Sequence, residues 1–246
     1  ALVQGAYGGV NFDLDAQGLA EQTGWVGSDD GLLVRDLDGD GEIASGRELF
    51  GNHTMLSNGQ VAENGFQALA DLDGNGDGLI DANDSAWGTL KVWRDLNSDG
   101  TSDDGELLDM ATAGVLSIAV AHTQSTFADA SGNEHRQIGS YTSTYGVSRD
   151  MADVWFAVDT ARTVATDNVP VPEAVAALPD ISGMGDLRSL QQTMARDASG
   201  DLQALVQQWI AGSQSQRSAI IDELIFTWAG VQDVDPDSRV NDLSAN

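Results

Sequence analysis

The sequence predicts an α+β fold in which acidic loops and short helices pack on a small antiparallel sheet, followed by a small helical bundle. Acidic glycine-containing loops alternate with short amphipathic stretches from Gly18 to Asp109. The hydrophobic period becomes two from Val115, and a helical period returns in the last third of the chain. The predicted parts are a loop-rich module over residues 1–163, a linker over 164–175 and a helical domain over 176–246.

The net charge limits the possible partners. The chain has 246 residues, with 39 Asp and Glu against 11 Lys and Arg, which gives a formal net charge of −28. Residues 1–115 contain 22 of the acidic residues but only four of the basic ones. This balance argues against nucleic acid or an anionic membrane as a partner. Like charges at such density repel one another unless a cation lies among them.

The remaining composition indicates a globular protein. Apolar residues make up 41% of the chain, which is enough for a hydrophobic core. The sequence contains no run of about 18 apolar residues, so membrane insertion is not predicted. Cysteine is absent, which excludes disulfides, thiolate catalysis and cysteine-bound zinc. Residues 1–10 lack the pattern of a cleavable signal peptide, which predicts an excised fragment or export by another route.

Three short stretches of the first module have helical periodicity. They are ENGFQALADL, with Phe66 and Leu69 on one side, DSAWGTLKVW, with Trp87, Leu90 and Trp93 at i, i+3 and i+6, and ELLDMATA. Because each stretch is short, packing rather than intrinsic propensity must stabilise it as a helix. The segments VLSIAVAH, HRQIGSYTST and MADVWFAVD have strand composition and predict the sheet.

The C-terminal segment predicts three amphipathic helices, because apolar residues repeat there every three or four positions. TVATDNVPVPEA, which precedes them, has the composition of a linker. The tryptophans of these helices are assigned to their core. The repeats are Leu187, Leu190 and Met194; Leu202, Leu205, Val206, Trp209 and Ile210; and Ile220, Ile221, Leu224, Ile225 and Trp228.

The span from Asp73 to Asp84 matches the twelve-residue calcium loop of an EF-hand. Such a loop has oxygen ligands at positions 1, 3, 5, 7, 9 and 12, and glycine at position 6 because φ is positive there. Gly78 occupies position 6, and Ile80 at position 8 is the apolar residue that usually pairs two loops. The ligands would be Asp73, Asn75, Asp77, Leu79 through its carbonyl, Asp81 and Asp84.

A second complete set begins at Asp95. Two full matches so close together favour calcium binding over a solvated acidic face. Because about ten residues separate the two loops, one helix carrying Trp87, Leu90 and Trp93 is predicted to serve both. The ligands of the second loop would be Asp95, Asn97, Asp99, Thr101, Asp103 and Glu106.

A third loop begins at Asp36 and departs from the EF-hand pattern. Arg47 occupies position 12, and the carboxylate comes one residue late, at Glu48. A stretched loop that uses Glu48 is the prediction. Its other ligands would be Asp36, Asp38, Asp40 and Glu42.

The stretch from Asp13 is at best half a site. It has Asp15 at position 3, but Gln17 and Gly24 occupy positions 5 and 12. Whether Asp13 and Asp15, or Asp29 and Asp30, bind an ion is left open. The sequence thus predicts EF-hand-like calcium loops that bind two Ca²⁺ ions, with three or more as the alternative.

These loops also carry a resemblance to a known family. Three stretches resemble the calcium-dependent self-processing module of FrpC-like RTX proteins. They are TGWVGSDDGLLVRDLDGDGEIASGRELFGNHT, NGFQALADLDGNGDGLIDANDSAWGTLKVWRDLNSDG, and IGSYT followed by MADVWFAVD. LPDISGMGDLRSLQQTMARD and FTWAGVQDVDPDSR are similar to the helical segment that follows such modules. The resemblance implies type I secretion to the outside of the cell or to its surface, with flanking segments of the same RTX polypeptide as partners.

The resemblance also implies a reaction. Modules of this family cut an Asp-Pro bond just upstream of themselves once calcium has folded them. The aspartate carboxylate attacks its own carbonyl carbon, proline leaves as the amine, and water or a lysine amine opens the cyclic anhydride. The sequence starts at Ala1 without that pair, and its Asp235-Pro236 pair is interpreted as a turn, so self-cleavage of this chain is not expected and no catalytic residue is assigned.

The predicted function is a calcium-binding, calcium-folded module of a large secreted RTX protein, either a toxin or an adhesin. One alternative is calcium-triggered Asp-Pro cleavage with Asp-Lys ligation. A dockerin-like protein-binding module is another, although dockerin loops are more widely spaced. The sequence contains no GxSxG, GxxxxGK[ST] or GGxGxD motif.

Overall fold

The computed structural model describes residues 9–234, and it overturns the predicted fold class. Eleven strands in three sheets dominate the described chain, and helices are few. The predicted α+β class, with helix-flanked EF-hand loops followed by a helical bundle, is therefore wrong. The chain divides into two compact units, with the boundary between Thr166 and Asp167. Within residues 9–234 no helix has the length and apolarity to cross a membrane.

The first sheet of unit 1 is antiparallel and joins the beginning of this unit to its end. Its middle strand pairs with a strand on either side. Val10 and Phe12 are buried while Asn11 is exposed, the alternation of a strand with one covered face. In spatial order the strands are β1 (Val10–Phe12), β2 (Leu19–Thr23) and β11 (Val158–Ala165).

The second sheet separates two hydrophobic cores. In spatial order its strands are β3 (Leu32–Arg35), β5 (Leu90–Trp93) and β6 (Leu107–Asp109). The tryptophan core on one face consists of Val10, Phe12, Trp25, Val26, Val34, Ile43 and Trp93. The phenylalanine core on the other face consists of Phe66, Leu69, Ile80, Leu90, Met110 and Ile118.

The helix predicted between two of the acidic loops is wrong. Only a single 3₁₀ turn, Trp87–Thr89, precedes β5. Leu90 belongs to the phenylalanine core and Trp93 to the tryptophan core. Because both faces of β5 are covered, apolar residues three apart occur without a helix, and their spacing mimics helical periodicity. The predicted helix in ELLDMATA is wrong too, since β6 begins it and turns follow.

The third sheet contains the strands predicted after Val115, which are confirmed in all three segments. It also supports α1 (Gly65–Ala70), the one helix confirmed in unit 1. Phe66 of α1 packs so closely on Gly139 that a Cβ there would lie 2.4 Å from the Phe66 ring. The path is β10 (Ser148–Trp155), β9 (Glu134–Ser143), β7 (Val115–Ala119) and β4 (Leu79–Ile80), and β8 (Thr123–Ala128) also pairs with β9.

Unit 2 is helical within residues 167–234. Its helices are α2 (Glu173–Ala176), α3 (Leu190–Arg196), α4 (Asp201–Ala211) and α5 (Gln214–Trp228). The last three fall in the segments with helical periodicity. Ser213 and Gln216 form a capping box that begins α5. The core of this unit consists of Val175, Leu190, Met194, Leu202, Val206 and Leu224, with Trp209 and Trp228 packed against it.

Candidate metal centres

Four acidic loops of unit 1 have positive φ at the same two positions. They are named by their first residue: the Asp13 loop (13–21), the Asp36 loop (36–48), the Asp73 loop (73–84) and the Asp95 loop (95–106). In each loop the residues at positions 4 and 6 have positive φ. These residues are Ala16 and Gly18, Gly39 and Gly41, Gly76 and Gly78, and Ser98 and Gly100. Positive φ costs a non-glycine residue about 1 kcal/mol, so surrounding contacts must determine the conformation of Ala16 and Ser98.

The aspartate at position 1 organises each loop from inside. Asp36 accepts the backbone N–H groups of Gly39 at 2.7 Å and Gly41 at 3.0 Å. The other three loops repeat the bond from position 6, at 2.8 Å in each case, to Asp13, Asp73 and Asp95. These bonds hold the first carboxylate over the turn, where an EF-hand loop places its first ligand.

In three of the loops, a buried carboxylate at the end of the loop accepts the same two backbone hydrogen bonds. It accepts the backbone N–H of position 2 through one oxygen and that of position 9 through the other. Asp84 accepts from Gly74 at 2.9 Å and Asp81 at 3.0 Å. Glu106 accepts from Leu96 at 2.7 Å and Asp103 at 3.1 Å.

Glu48 closes the Asp36 loop in the same way. It accepts from Leu37 at 3.2 Å and from Ala44 at 2.8 Å, and it is 7% exposed. The additional residue lies after Ala44, where Asp13 forms an isolated parallel bridge with Ser45 and its carbonyl accepts the N–H of Gly46 at 2.8 Å. The late carboxylate thus occupies the closing position, while Arg47 is exposed.

The other predicted ligands lie on the open side of the loops. The carboxylate oxygens of Asp36, Asp38 and Asp40 come within 4.8 Å of one another, whereas Glu42 does not join this group. Its backbone N–H donates to Asp40 at 2.8 Å. Position 7 has the same bond in the other two complete loops, from Leu79 to Asp77 and from Thr101 to Asp99.

Asparagine side chains donate hydrogen bonds to the exposed carboxylates of two loops. Asn75 donates to Asp77 at 3.0 Å. Asn97 donates to both Asp99 and Asp103, each at 3.0 Å. Carboxylate oxygens from positions 5 and 9 of the Asp95 loop therefore converge on the amide nitrogen of the residue at position 3.

Two tryptophans connect the Asp95 loop to the tryptophan core. The indole N–H of Trp25 donates to Asp95 Oδ2 at 2.6 Å, and that of Trp93 donates to Glu106 Oε2 at 3.2 Å; both bonds are buried. The first and last predicted ligands of this loop are thus held by core residues. Sequence reasoning missed Trp25, because it is 70 residues from Asp95 and no local pattern connects them.

The loops do not pair as the sequence suggested. Ile80 of the Asp73 loop pairs with Ile118 of β7 rather than with position 8 of another loop. Instead, Ser102 Oγ accepts the N–H of Ile43 at 2.8 Å. Both residues occupy position 8, so the Asp36 and Asp95 loops are the pair.

The Asp13 loop is more complete than the sequence suggested. Asp13 and Glu21 are 5% and 8% exposed, and Asp13, Asp15 and Glu21 have carboxylate oxygens within 4.8 Å of one another. Burial, with a further contribution from the charge of Asp15, raises the pKa of Asp13 and of Glu21. Glu21 was missed although it lies at position 9 of this loop, because positions 5 and 12 carry no acid. Asp29 and Asp30 join no such group in the described residues.

Within residues 9–234 no basic side chain forms an ion pair with a carboxylate of these loops. The ion pairs there connect Lys91 with Asp109, Arg136 with Glu134, Arg162 with Asp159, and Arg188 and Arg196 with Asp167; His135 lies near Asp129. None involves a carboxylate of the four loops. Clustered carboxylates without a basic partner are the ligand type that hard divalent cations take.

Comparison with known proteins gives the family. Residues 2–157 match the family model described as the SPM domain, so this chain belongs to the SPM domain family. The chain is also 41% identical over 224 residues to the iron-regulated protein FrpA of Neisseria meningitidis serogroup C. That similarity covers 91% of this chain and 20% of the relative, so the chain spans about a fifth of the length of FrpA.

Proposed function

We propose that this chain is a calcium-binding module of a large secreted RTX protein, and that unit 1 folds when calcium occupies the Asp36, Asp73 and Asp95 loops. One observation carries the proposal. Three loops present a position-1 aspartate and a buried closing carboxylate in the same hydrogen-bonded arrangement, and no described basic residue forms an ion pair with either carboxylate. The twelve-residue pattern of ligands supports calcium as the ion.

The chemistry of the donor set favours calcium over other metals. Its members offer only carboxylate, amide, hydroxyl and backbone carbonyl oxygen. Zinc and copper favour imidazole or thiolate, and magnesium demands near-ideal octahedral geometry and usually keeps several of its waters instead of binding in an all-protein cage. Six to eight oxygen ligands, some of them water, suit Ca²⁺.

Calcium would also explain how so acidic a unit folds. Extracellular EF-hand loops bind calcium with a Kd of roughly 10⁻⁴ to 10⁻³ M. An ion at 100 times its Kd stabilises the folded state by about 2.7 kcal/mol per site. Three sites could therefore supply much of the typical stability of a domain, about 5–15 kcal/mol. Folding would then follow export by a type I pathway into a calcium-rich medium.

Near-UV circular dichroism tests this proposal, because Trp25 and Trp93 lie fully buried with ring centroids 5.4 Å apart. EDTA should abolish the near-UV signal, millimolar calcium should restore it, and equal magnesium should not. Asp73→Ala and Asp95→Ala should each remove one calcium ion in isothermal titration, whereas the exposed Asp109→Ala should remove none. Identical spectra with EDTA and with calcium would refute the proposal.

Self-processing is a second candidate, supported by the match of residues 2–157 to the SPM domain family together with the resemblance of the quoted motifs to self-processing modules. The pair Asp235-Pro236 lies outside the described residues. The test is to place an Asp-Pro pair and a tag before residue 1 and to add calcium. Two fragments on a gel would support cleavage, and a matched Asn-Pro extension should stay whole. An intact Asp-Pro extension after hours in calcium would contradict it.

A further inference from the structure

A buried glutamate oxygen points to a further ligand in the Asp13 loop. Glu21 is 8% exposed, and its Oε2 is buried with no hydrogen-bond partner. A buried carboxylate oxygen costs free energy unless a hydrogen-bond donor or a cation lies next to it. Glu21 lies on β2 between Phe12 of β1 and Thr163 of β11, so its backbone is fixed and its side chain is held in the group.

Two more carboxylates surround this glutamate. Asp13 and Asp15 place oxygens within 4.8 Å of it and of each other. Gln17 donates its backbone N–H to both aspartates, at 3.0 and 3.2 Å, and Gly18 donates to Asp13 at 2.8 Å. These bonds orient the aspartates, but three carboxylates remain around one point. No described Lys, Arg or His forms an ion pair with any of them.

We propose that Asp13, Asp15 and Glu21 form a fourth calcium site, between β1 and β2. Its three carboxylates occupy positions 1, 3 and 9 of the loop, so Glu21 takes over the charge that a position-12 residue supplies in the other loops. Donors that are all oxygen favour a hard cation. The half-exposed Asp15 leaves room for water to complete the coordination. The identity of the ion rests on the proposed function, whereas the existence of the site rests on the three carboxylates themselves.

The position of this site couples it to the Asp36 loop. Asp13 contributes a carboxylate to the site, while its backbone carbonyl accepts the N–H of Gly46 at 2.8 Å. Gly46 packs so closely that a Cβ there would lie 1.9 Å from the Leu14 carbonyl oxygen. An ion that fixes Asp13 therefore also fixes the segment that carries Glu48 to its closing position. Loss of the fourth site should weaken calcium binding by the Asp36 loop.

Calcium stoichiometry of the whole chain tests the fourth site. Equilibrium dialysis and isothermal titration should show one calcium ion fewer for Glu21→Gln than for the native chain. The matched control is Glu63→Gln, which makes the same chemical change at an exposed position outside the four loops and should leave the count unchanged. Near-UV circular dichroism at saturating calcium establishes that each variant is folded.

Each outcome decides the question. Equal stoichiometry in folded Glu21→Gln and native protein overturns the fourth site but leaves the proposed function intact, whereas a native chain that binds no calcium overturns both. If Glu21→Gln does not fold in calcium, Asp15→Asn replaces it, because Asp15 lies at the half-exposed edge of the site. One ion fewer in folded Asp15→Asn supports the site, and an unchanged count overturns it.

Discussion

The indole N–H of Trp25 donates to Asp95 Oδ2 at 2.6 Å, and neither residue is exposed to solvent. This bond joins the first predicted ligand of the Asp95 loop to the centre of the tryptophan core. Trp25 also lies 5.1 Å from Phe12 of β1, measured between ring centroids. Loop geometry and core packing are therefore coupled in both directions, so that a change in one alters the other.

Removal of this donor should weaken both the fold and the loop. Trp25→Phe keeps an aromatic ring but leaves a buried carboxylate oxygen with one donor fewer. Hydrogen bonds to charged groups contribute about 1.5–3 kcal/mol, so the free energy of unfolding should fall by that amount in saturating calcium, as measured by urea denaturation. Calcium affinity should fall with it, because Asp95 loses its fixed orientation.

Trp155→Phe provides the matched control for that experiment. The indole N–H of Trp155 is buried but has no acceptor, so its removal breaks no hydrogen bond. The loss of unfolding free energy should therefore be smaller than for Trp25→Phe, with calcium affinity unchanged. Equal losses in both variants would show that the bond to Asp95 contributes nothing beyond ring packing.

The closing carboxylate of the Asp36 loop makes a second prediction. The structure assigns this role to Glu48, whereas strict EF-hand numbering assigns position 12 to Arg47. Because calcium affinity depends on the number of charged ligands, Glu48→Gln should weaken one site about tenfold or more in isothermal titration. Arg47→Gln should leave that site as tight as in the native chain. The reverse ranking would contradict the stretched loop.

The loops were predictable because their chemistry is local. Positive φ at position 6, aspartates at positions 1 and 5 and an asparagine at position 3 are fixed within a few residues, so the Asp73 and Asp95 loops could be found from spacing alone. The strand that connects their loops could not, because Leu90 and Trp93 face different cores, and that arrangement depends on β3 and β6. Non-local contacts therefore decided the fold class.

Two features that the sequence pattern did not indicate illustrate the same limit. Glu21 lies three residues before the empty position 12 of the Asp13 loop, and only the folded sheet shows that its carboxylate reaches Asp13. In the Asp36 loop, the additional residue is accommodated because Ser45 and Gly46 contact Asp13. Neither feature follows from the pattern of a single loop.

A third prediction concerns pH and a carboxylate outside the loops. Asp153 of β10 is 8% exposed and accepts the N–H of Gly65 at 2.6 Å. Burial raises the pKa of Asp153 above 3.8, although the bond from Gly65 and the charges of Arg136 and His122 oppose this shift. The folded state therefore holds this proton at pH values where the unfolded chain has lost it.

The sign of the effect follows from proton linkage. As pH rises from the ordinary carboxyl pKa through the raised one, the folded state comes to bear a buried charge, so Asp153 lowers the free energy of unfolding. The cost is about 1.4 kcal/mol for each unit by which the pKa is raised. Asp153→Asn keeps an oxygen for the Gly65 N–H and does not titrate. Its stability relative to the native chain should rise across this window and then remain constant.

Urea denaturation at several pH values in saturating calcium measures that difference. Asp150→Asn is the control, because Asp150 lies on the same strand but is exposed, and its difference from the native chain should vary little with pH. A flat difference for Asp153→Asn would mean that Asp153 ionises as readily in the folded protein as in the unfolded chain.

The last prediction separates the two units by their response to calcium. All four acidic loops lie in unit 1, and β5 runs directly into the Asp95 loop. Unit 2 has its own core, and α4 buries Leu202 and Val206 within it. Hydrogen exchange on the whole chain should therefore show amides of Leu90–Trp93 protected only with calcium, whereas those of Asp201–Ala211 should be protected with calcium or with EDTA. The opening free energy of an amide sets its exchange rate, so the two segments report separately on their units. Loss of protection in α4 on EDTA treatment would show that the helical unit depends on the ions as well, and protection of β5 in EDTA would show that unit 1 folds without them.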